Sequence, residues 1–152
     1  MLKRLYLFLI VTVLAVGTAM AQDAIRWRTT AKMTSDTEGV LTVRALVADG
    51  WHLYGTKLPK GGPKPTVLDF SKSVGVKFIG DFKPSVAPVT KQDATFGMAL
   101  SFWGQNVTFT RRFKLTGAKE KAQINGSITF MGCNDETCLP PKTLPVTGLR
   151  IR

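Results

Sequence analysis

The chain has 152 residues, a formal net charge of +11, and 44% hydrophobic and 9% aromatic residues. That much apolar material rules out disorder, and the length suits one domain, since domains most often run about 100–150 residues. Two cysteines, one histidine and ten acids argue against a Cys/His-rich zinc module, and neither the Rossmann nor the P-loop glycine fingerprint occurs.

Residues 1–21 have the form of an export leader. Lys3 and Arg4 make a short positive start, Leu5 to Val16 is uncharged and apolar but for Thr12, and Ala19-Met20-Ala21 supplies a small-x-small site. Cleavage is expected before Gln22, which leaves a domain over residues 22–152 with a net charge of +9 once Lys3 and Arg4 are gone. The apolar stretch is shorter than the about 20 residues that span a bilayer. No cysteine follows it and no later segment is apolar enough to span. A soluble, exported protein is therefore expected, in a compartment where disulfides form.

The rest of the chain follows period two. Ile25, Trp27, Ala31 and Met33 alternate with Arg26, Arg28, Thr30 and Lys32, and Leu41, Val43, Ala45 and Val47 repeat the pattern. Further runs lie at Val74–Phe78, Met98–Phe102, Val107–Phe113, Ile124–Phe130 and Leu144–Val146. Such alternation marks half-buried strands of antiparallel sheets. Turn signals separate them at Ser35–Gly39, Asp49-Gly50, Lys60–Pro63, Gly104–Asn106 and Asn125-Gly126. No sustained helical period occurs. The expected fold is all-β, an immunoglobulin-like antiparallel β-sandwich of about seven to nine strands.

The basic residues are scattered along the sequence, often on the outward phase of a strand (Arg26, Arg28, Arg112, Lys114). A nucleic-acid face would cluster them with stacking aromatics, so no nucleic acid is expected. Scattered charge reads as solvated surface that could still steer an acidic partner. Trp27, Trp51 and Trp103 read as core or sheet-face residues.

Cys133 and Cys138 are the only thiols. They follow an apolar strand, enclose Asn134-Asp135-Glu136-Thr137 and precede Leu139-Pro140-Pro141. The polar stretch should turn and bring the cysteines within the roughly 4.4–6.8 Å Cα separation of a disulfide. The two prolines cannot donate to a ladder, so pairing should lapse at Cys138 and leave its sulfur near an edge. As a staple, a six-residue ring is worth roughly 2 kcal/mol, against about 4 kcal/mol for a loop of ~60 residues. A small ring therefore suits redox chemistry better than stabilisation, although short structural loops are also common. Asp135 and Glu136 should oppose thiolate formation, which predicts a slow nucleophile that works mainly inside a docked complex.

The run Gly132–Pro141 resembles the C-x(4–5)-C-x-P-P signature of the N-terminal periplasmic domain of DsbD-type thiol:disulfide interchange proteins. Gly50-Trp51-His52-Leu53-Tyr54 is similar to the family's Gly-aromatic-x-Leu-Tyr strand. Gly61-Gly62-Pro63-Lys64-Pro65-Thr66 resembles the GGP-x-PT run of its stand-alone, single-domain relatives. The resemblance covers most of residues 24–150, with the motifs in family order. It implies an immunoglobulin-like domain that carries electrons on a disulfide without any cofactor or metal. Reducing equivalents would come from the thioredoxin-like domain of a membrane reductase and pass to exported thiol-disulfide proteins.

By position Cys138 matches the cysteine that forms mixed disulfides and Cys133 the one that resolves them. The family's cap loop falls on Asp93-Ala94-Thr95-Phe96-Gly97, with Phe96 or its neighbour as the shield, and His52 and Tyr54 match aromatics beside the active site. This chain has four residues between its cysteines where the best-known enterobacterial member has five. Its cap loop also lacks that member's second acid and second aromatic. No membrane region or thioredoxin domain is read in the sequence, so the reductant is expected to be a separate protein and the domain a monomer.

Two alternatives stand beside the relay. One is a non-catalytic binding sandwich whose disulfide is a minor staple. The other is soft-metal binding by the dithiol, which lacks the extra Met or His ligands such sites recruit. As a lone histidine, His52 reads first as a packed or surface residue. Phe96 reads equally as a cap and as an exposed loop anchor. Asn106-Val107-Thr108 and Asn125-Gly126-Ser127 match the glycosylation pattern by chance if the source is bacterial.

Overall fold

The computed structural model describes residues 23–152; the leader expected over residues 1–21 lies outside them. The described chain forms three antiparallel sheets. The first has the order β1-β2-β8-β5, from β1 (Ile25–Met33), β2 (Glu38–Val47), β5 (Val76–Pro84) and β8 (Val107–Leu115). The second runs β10-β3-β7-β6, from β3 (His52–Tyr54), β6 (Val89–Asp93), β7 (Met98–Trp103) and β10 (Gly132–Cys133). The third is β11-β9-β4, from β4 (Val67–Asp69), β9 (Gln123–Phe130) and β11 (Lys142–Arg150). A parallel bridge between Ala31 and Ile151 joins the first and third sheets at their edges. The helix present among the described residues is one 3-10 turn, Lys119–Lys121.

The period-two pattern does what it predicts. Leu41, Val43 and Ala45 of β2 and Val107, Phe109 and Phe113 of β8 are fully buried on the inner face of the first sheet. Opposite them lie Ile124, Ile128 and Phe130 of β9, with Leu53 of β3 and Trp103 of β7. The two layers of a sandwich are thus the first sheet on one side and the second and third on the other. Trp103 meets Phe109 edge-on at 5.1 Å and its indole N–H donates to the Val86 carbonyl at 2.8 Å. Trp27 packs between Phe109 and Phe130. Each fully buried large side chain, such as Phe109 or Phe113, contributes about 1.5–3 kcal/mol of transfer free energy.

Eleven strands are present rather than seven to nine. Those outside the period-two runs are β3, which the family likeness marks as a strand, and β4, β6 and β10, none longer than five residues. Two or three residues cannot display an alternation, and β6 is exposed along most of its length. The Asn125-Gly126 turn signal is also corrected, because both residues lie inside β9. A Cβ at Gly126 would collide with the Asp69 carbonyl and come within 2.7 Å of the Phe70 Cα, so the glycine marks a close backbone approach. The Asn125 side chain accepts from the Gly148 N–H at 2.6 Å, where the pairing of β9 with β11 shifts register. Asn106 is likewise engaged, accepting from the Val47 N–H at 2.9 Å.

Candidate active site

Apart from its edge strand β6, the second sheet carries apolar side chains on both faces. Because successive side chains point to opposite sides of a strand, Leu53 enters the main core while Tyr54 faces outward into a smaller cluster. Tyr54, Leu100 and Cys133 are its buried members, and Phe96, Phe102, Met131 and Cys138 pack against them. Both cysteines thus reach one cluster on the outer face, away from the main core.

β10 is the edge strand of this sheet. Its Gly132 pairs with Leu53 and its Cys133 with His52. A Cβ at Gly132 would press on the Ile25 Cδ1 atom at 2.5 Å, so the edge strand passes close over the Ile25 side chain here. The chain reverses after Cys133. The Asn134 side chain accepts from the N–H groups of Glu136 at 2.9 Å and Thr137 at 2.7 Å, which closes the turn the polar stretch predicts. Asn134 N–H donates to the Thr137 carbonyl and Leu139 N–H to the Gly132 carbonyl, both at 2.9 Å. These two bonds flank Cys133 and Cys138, which therefore form a non-hydrogen-bonded antiparallel pair, the closer of the two ladder positions.

The cysteines are joined as a disulfide with a Cα–Cα distance of 4.0 Å. That is just below the expected span, because the residues are directly opposed rather than diagonal. Pairing also extends one residue further than expected: Leu139 still donates, and the ladder lapses only at Pro140. Cys133 is buried at 4% exposure, while Cys138, on the outer arm, is half-buried.

The loop over residues 93–97 arches across the same cluster. Asp93 ends β6, and its Oδ1 accepts from the N–H groups of Thr95 at 2.8 Å and Phe96 at 3.1 Å. Gly97 closes the loop at φ +64°, a left-handed conformation suited to glycine, with its N–H donating to the Asp93 carbonyl at 2.8 Å. The other Asp93 oxygen accepts from the Tyr54 hydroxyl at 2.8 Å. Burial, then the hydrogen bond to Asp93 and its charge, raise the Tyr54 phenol well above its ordinary pKa, so it remains a donor. Phe96 meets the Tyr54 ring edge-on at 6.0 Å and is half-buried rather than exposed. His52 lies against Phe102 with ring centroids 4.3 Å apart and the planes tilted by 39°.

A cleft of about 430 Å³ opens between loop and hairpin, lined by His52, Tyr54, Asp93, Phe102, Cys133 and Asn134 among others. All the residues singled out in the sequence, Cys133, Cys138, His52, Tyr54, Asp93, Phe96 and Gly97, therefore gather on one face of one small sheet. Sequence reasoning missed Phe102, Leu100 and Asn134. Asn134 carried a usable signal, since an Asx side chain often caps its own turn. Among the described residues no group of His, Cys, Asp and Glu is placed to hold a metal ion.

Residues 18–148 match the family described as thiol:disulfide interchange protein DsbD, N-terminal. The chain belongs to the DsbD N-terminal family. Among solved structures, the N-terminal periplasmic domain of ScsB from Proteus mirabilis matches at 19% identity and a TM-score of 0.54. The match covers 85% of this chain and 48% of that one. At that identity the match speaks for the shared fold, and this chain spans about half the length of the solved one. No curated protein matches. Membership in the DsbD N-terminal family agrees with a disulfide on the sheet edge, and among the described residues no helix is long and apolar enough to cross a membrane.

Proposed function

We propose that this DsbD N-terminal domain is a periplasmic thiol-disulfide relay. It is exported by the leader, cleaved after Ala21, and acts as a monomer between the thioredoxin-like domain of a membrane reductase and exported protein disulfides. The observation that carries this reading is the disulfide hairpin itself. It is a small ring on an edge strand, with one sulfur buried and the other half-exposed beneath a tethered loop.

In the loading half, a thiolate of the reductase attacks Sγ of Cys138 in line with the S–S bond. Cys133 Sγ leaves as a thiolate and takes up a proton. The reductase's second thiolate then attacks its own sulfur in the mixed disulfide, and Cys138 departs as a thiolate. Two electrons have moved to the pair, and the reductase is left oxidised. In the delivery half, Cys138 thiolate attacks a substrate disulfide and releases one substrate thiolate. Cys133 gives up its proton and attacks Cys138 Sγ as a thiolate, re-forming the ring and releasing the second substrate sulfur as a thiolate that takes up a proton. The greater exposure of Cys138 supports its role as the sulfur that meets partners, and the burial of Cys133 against β3 supports its role as the resolving one.

Asp93, Phe96 and Gly97 form the cap in this reading. Tyr54 and His52 form the wall beneath it, and the disulfide is the redox group without a further cofactor. The test is the equilibrium reduction potential of the Cys133–Cys138 pair. A value of about −180 to −270 mV, where thioredoxin-type carriers lie, supports the relay. A value well below about −300 mV marks a structural disulfide and a binding sandwich instead.

A further inference from the structure

Cations scattered along the sequence converge on one surface once the sheet forms. On the outward face of β1-β2-β8-β5, β1 presents Arg26, Arg28 and Lys32, all exposed. β2 adds Arg44, directly across from Arg28 in register. β8 adds Arg112 and Lys114, and β5 sets Lys77 opposite Lys114. The acids of this face are Glu38, engaged by both Arg112 and Lys114, and Asp81 at the β5 bulge. Among the described residues no acid lies within ion-pair distance of Arg26, Arg28, Lys32 or Arg44.

Like charges directly opposed on a sheet are destabilising. A pair such as Arg28 and Arg44, left without a counter-charge, fits a face that meets an anionic surface outside the molecule. The character of that surface follows from what accompanies the charge. The aromatics of these strands point inward or to the sheet edge, leaving no stacking platform for nucleic-acid bases. None of the large apolar side chains that the domain exposes, such as Val89 and Leu139, belongs to this sheet, so the anchors that centre a protein–protein interface are missing. A flat array of separate cations suits a plane of separate anions, where each charge contributes independently. The face also lies across the main core from the cysteine hairpin, so contact there leaves the disulfide open.

We propose that the outward face of the β1-β2-β8-β5 sheet docks the domain on an anionic phospholipid bilayer. The proposal does not depend on the redox role. Flotation with phosphatidylcholine vesicles, with and without phosphatidylglycerol, tests it. The chain should float with phosphatidylglycerol vesicles, stay behind with pure phosphatidylcholine, and be released as salt rises. Each cation removed from the face should weaken binding about five-fold. Arg28→Gln/Arg44→Gln should therefore lose about 25-fold, and Arg26→Gln/Lys32→Gln a similar amount. Lys57→Gln/Lys60→Gln takes the same charge from the loop after β3 and should bind like the unaltered chain, as should Cys133→Ser/Cys138→Ser. Melting curves of the face variants establish that they are folded. The proposal is overturned by absent binding to phosphatidylglycerol vesicles, by equal losses in the face and loop variants, or by tighter binding to single-stranded DNA at the same salt.

Discussion

The Tyr54 hydroxyl donates a 2.8 Å hydrogen bond to Asp93, which ties β3, the strand paired with cysteine-bearing β10, to the base of the loop above it. The same carboxylate holds the Thr95 and Phe96 N–H groups. One side chain thus shapes the loop and anchors it over the cysteine cluster. Replacing Tyr54 by Phe removes the anchor and leaves the loop's internal turn. A hydrogen bond to a charged group is worth about 1.5–3 kcal/mol, so opening should become at least about ten-fold more frequent. Reduction of the disulfide by dithiothreitol should accelerate accordingly. An unchanged rate would show that this bond does not hold the loop closed.

Phe96→Ala tests the lid itself. The edge-on Tyr54–Phe96 contact is worth about 0.5–1.5 kcal/mol beyond its buried area. Its loss should speed reaction with small thiols several-fold while leaving the melting temperature within a few degrees. Equal reactivity of the two proteins would remove Phe96 from any shielding role.

The two cysteines should separate on trapping. Cys133→Ser leaves the more exposed sulfur without a resolving partner and should accumulate mixed disulfides, seen as reducible adducts on non-reducing gels. Cys138→Ser should trap none. Equal trapping by both variants would contradict the assignment of roles.

The raised phenol pKa makes a claim about alkaline stability. Above an ordinary tyrosine pKa of about 10, the unfolded chain loses the Tyr54 proton while the folded chain keeps it. The unfolded state then binds fewer protons, so stability falls as pH rises. The contribution is fully present below pH of about 10 and is lost progressively above it. Denaturant melts of the parent and Tyr54→Phe should show a steeper alkaline decline in the parent. Parallel curves would mean that the phenol titrates normally.

Gly126→Ala should destabilise the domain by about 3 kcal/mol or more, because the new methyl meets the backbone of Asp69 and Phe70 rather than a movable side chain. A fall in the denaturation midpoint without change in slope would be the expected readout. A neutral result would mean that β4 and β9 can part at low cost.

The strands that carry the main core were legible because their signal is local. In β2 and β8 the inward positions are apolar except for Arg111, and burial follows that alternation. Of the short strands only β3 was legible, through its likeness to the family's Gly-aromatic-x-Leu-Tyr strand; β10 is two residues long and is defined by its partner β3 rather than by any pattern of its own. Asn125-Gly126 misled for the same reason. As a dipeptide it reads as a turn, and only the approach of Asp69 and Phe70 makes it a strand interior that excludes a side chain.

By itself the sequence determined the all-β class, the alternation of the long strands, the turn between the cysteines and the motif that carries the family. All of these rest on neighbours within a few residues. The tertiary structure decided which residues meet across long separations. It set Tyr54 against Asp93, opposed Cys133 to His52, and brought Arg28 beside Arg44 on a face where the chain had shown only scattered charge. Period two assigns a side chain to one side of its strand, whereas strand order and register, fixed by the packed core, decide what it finds there.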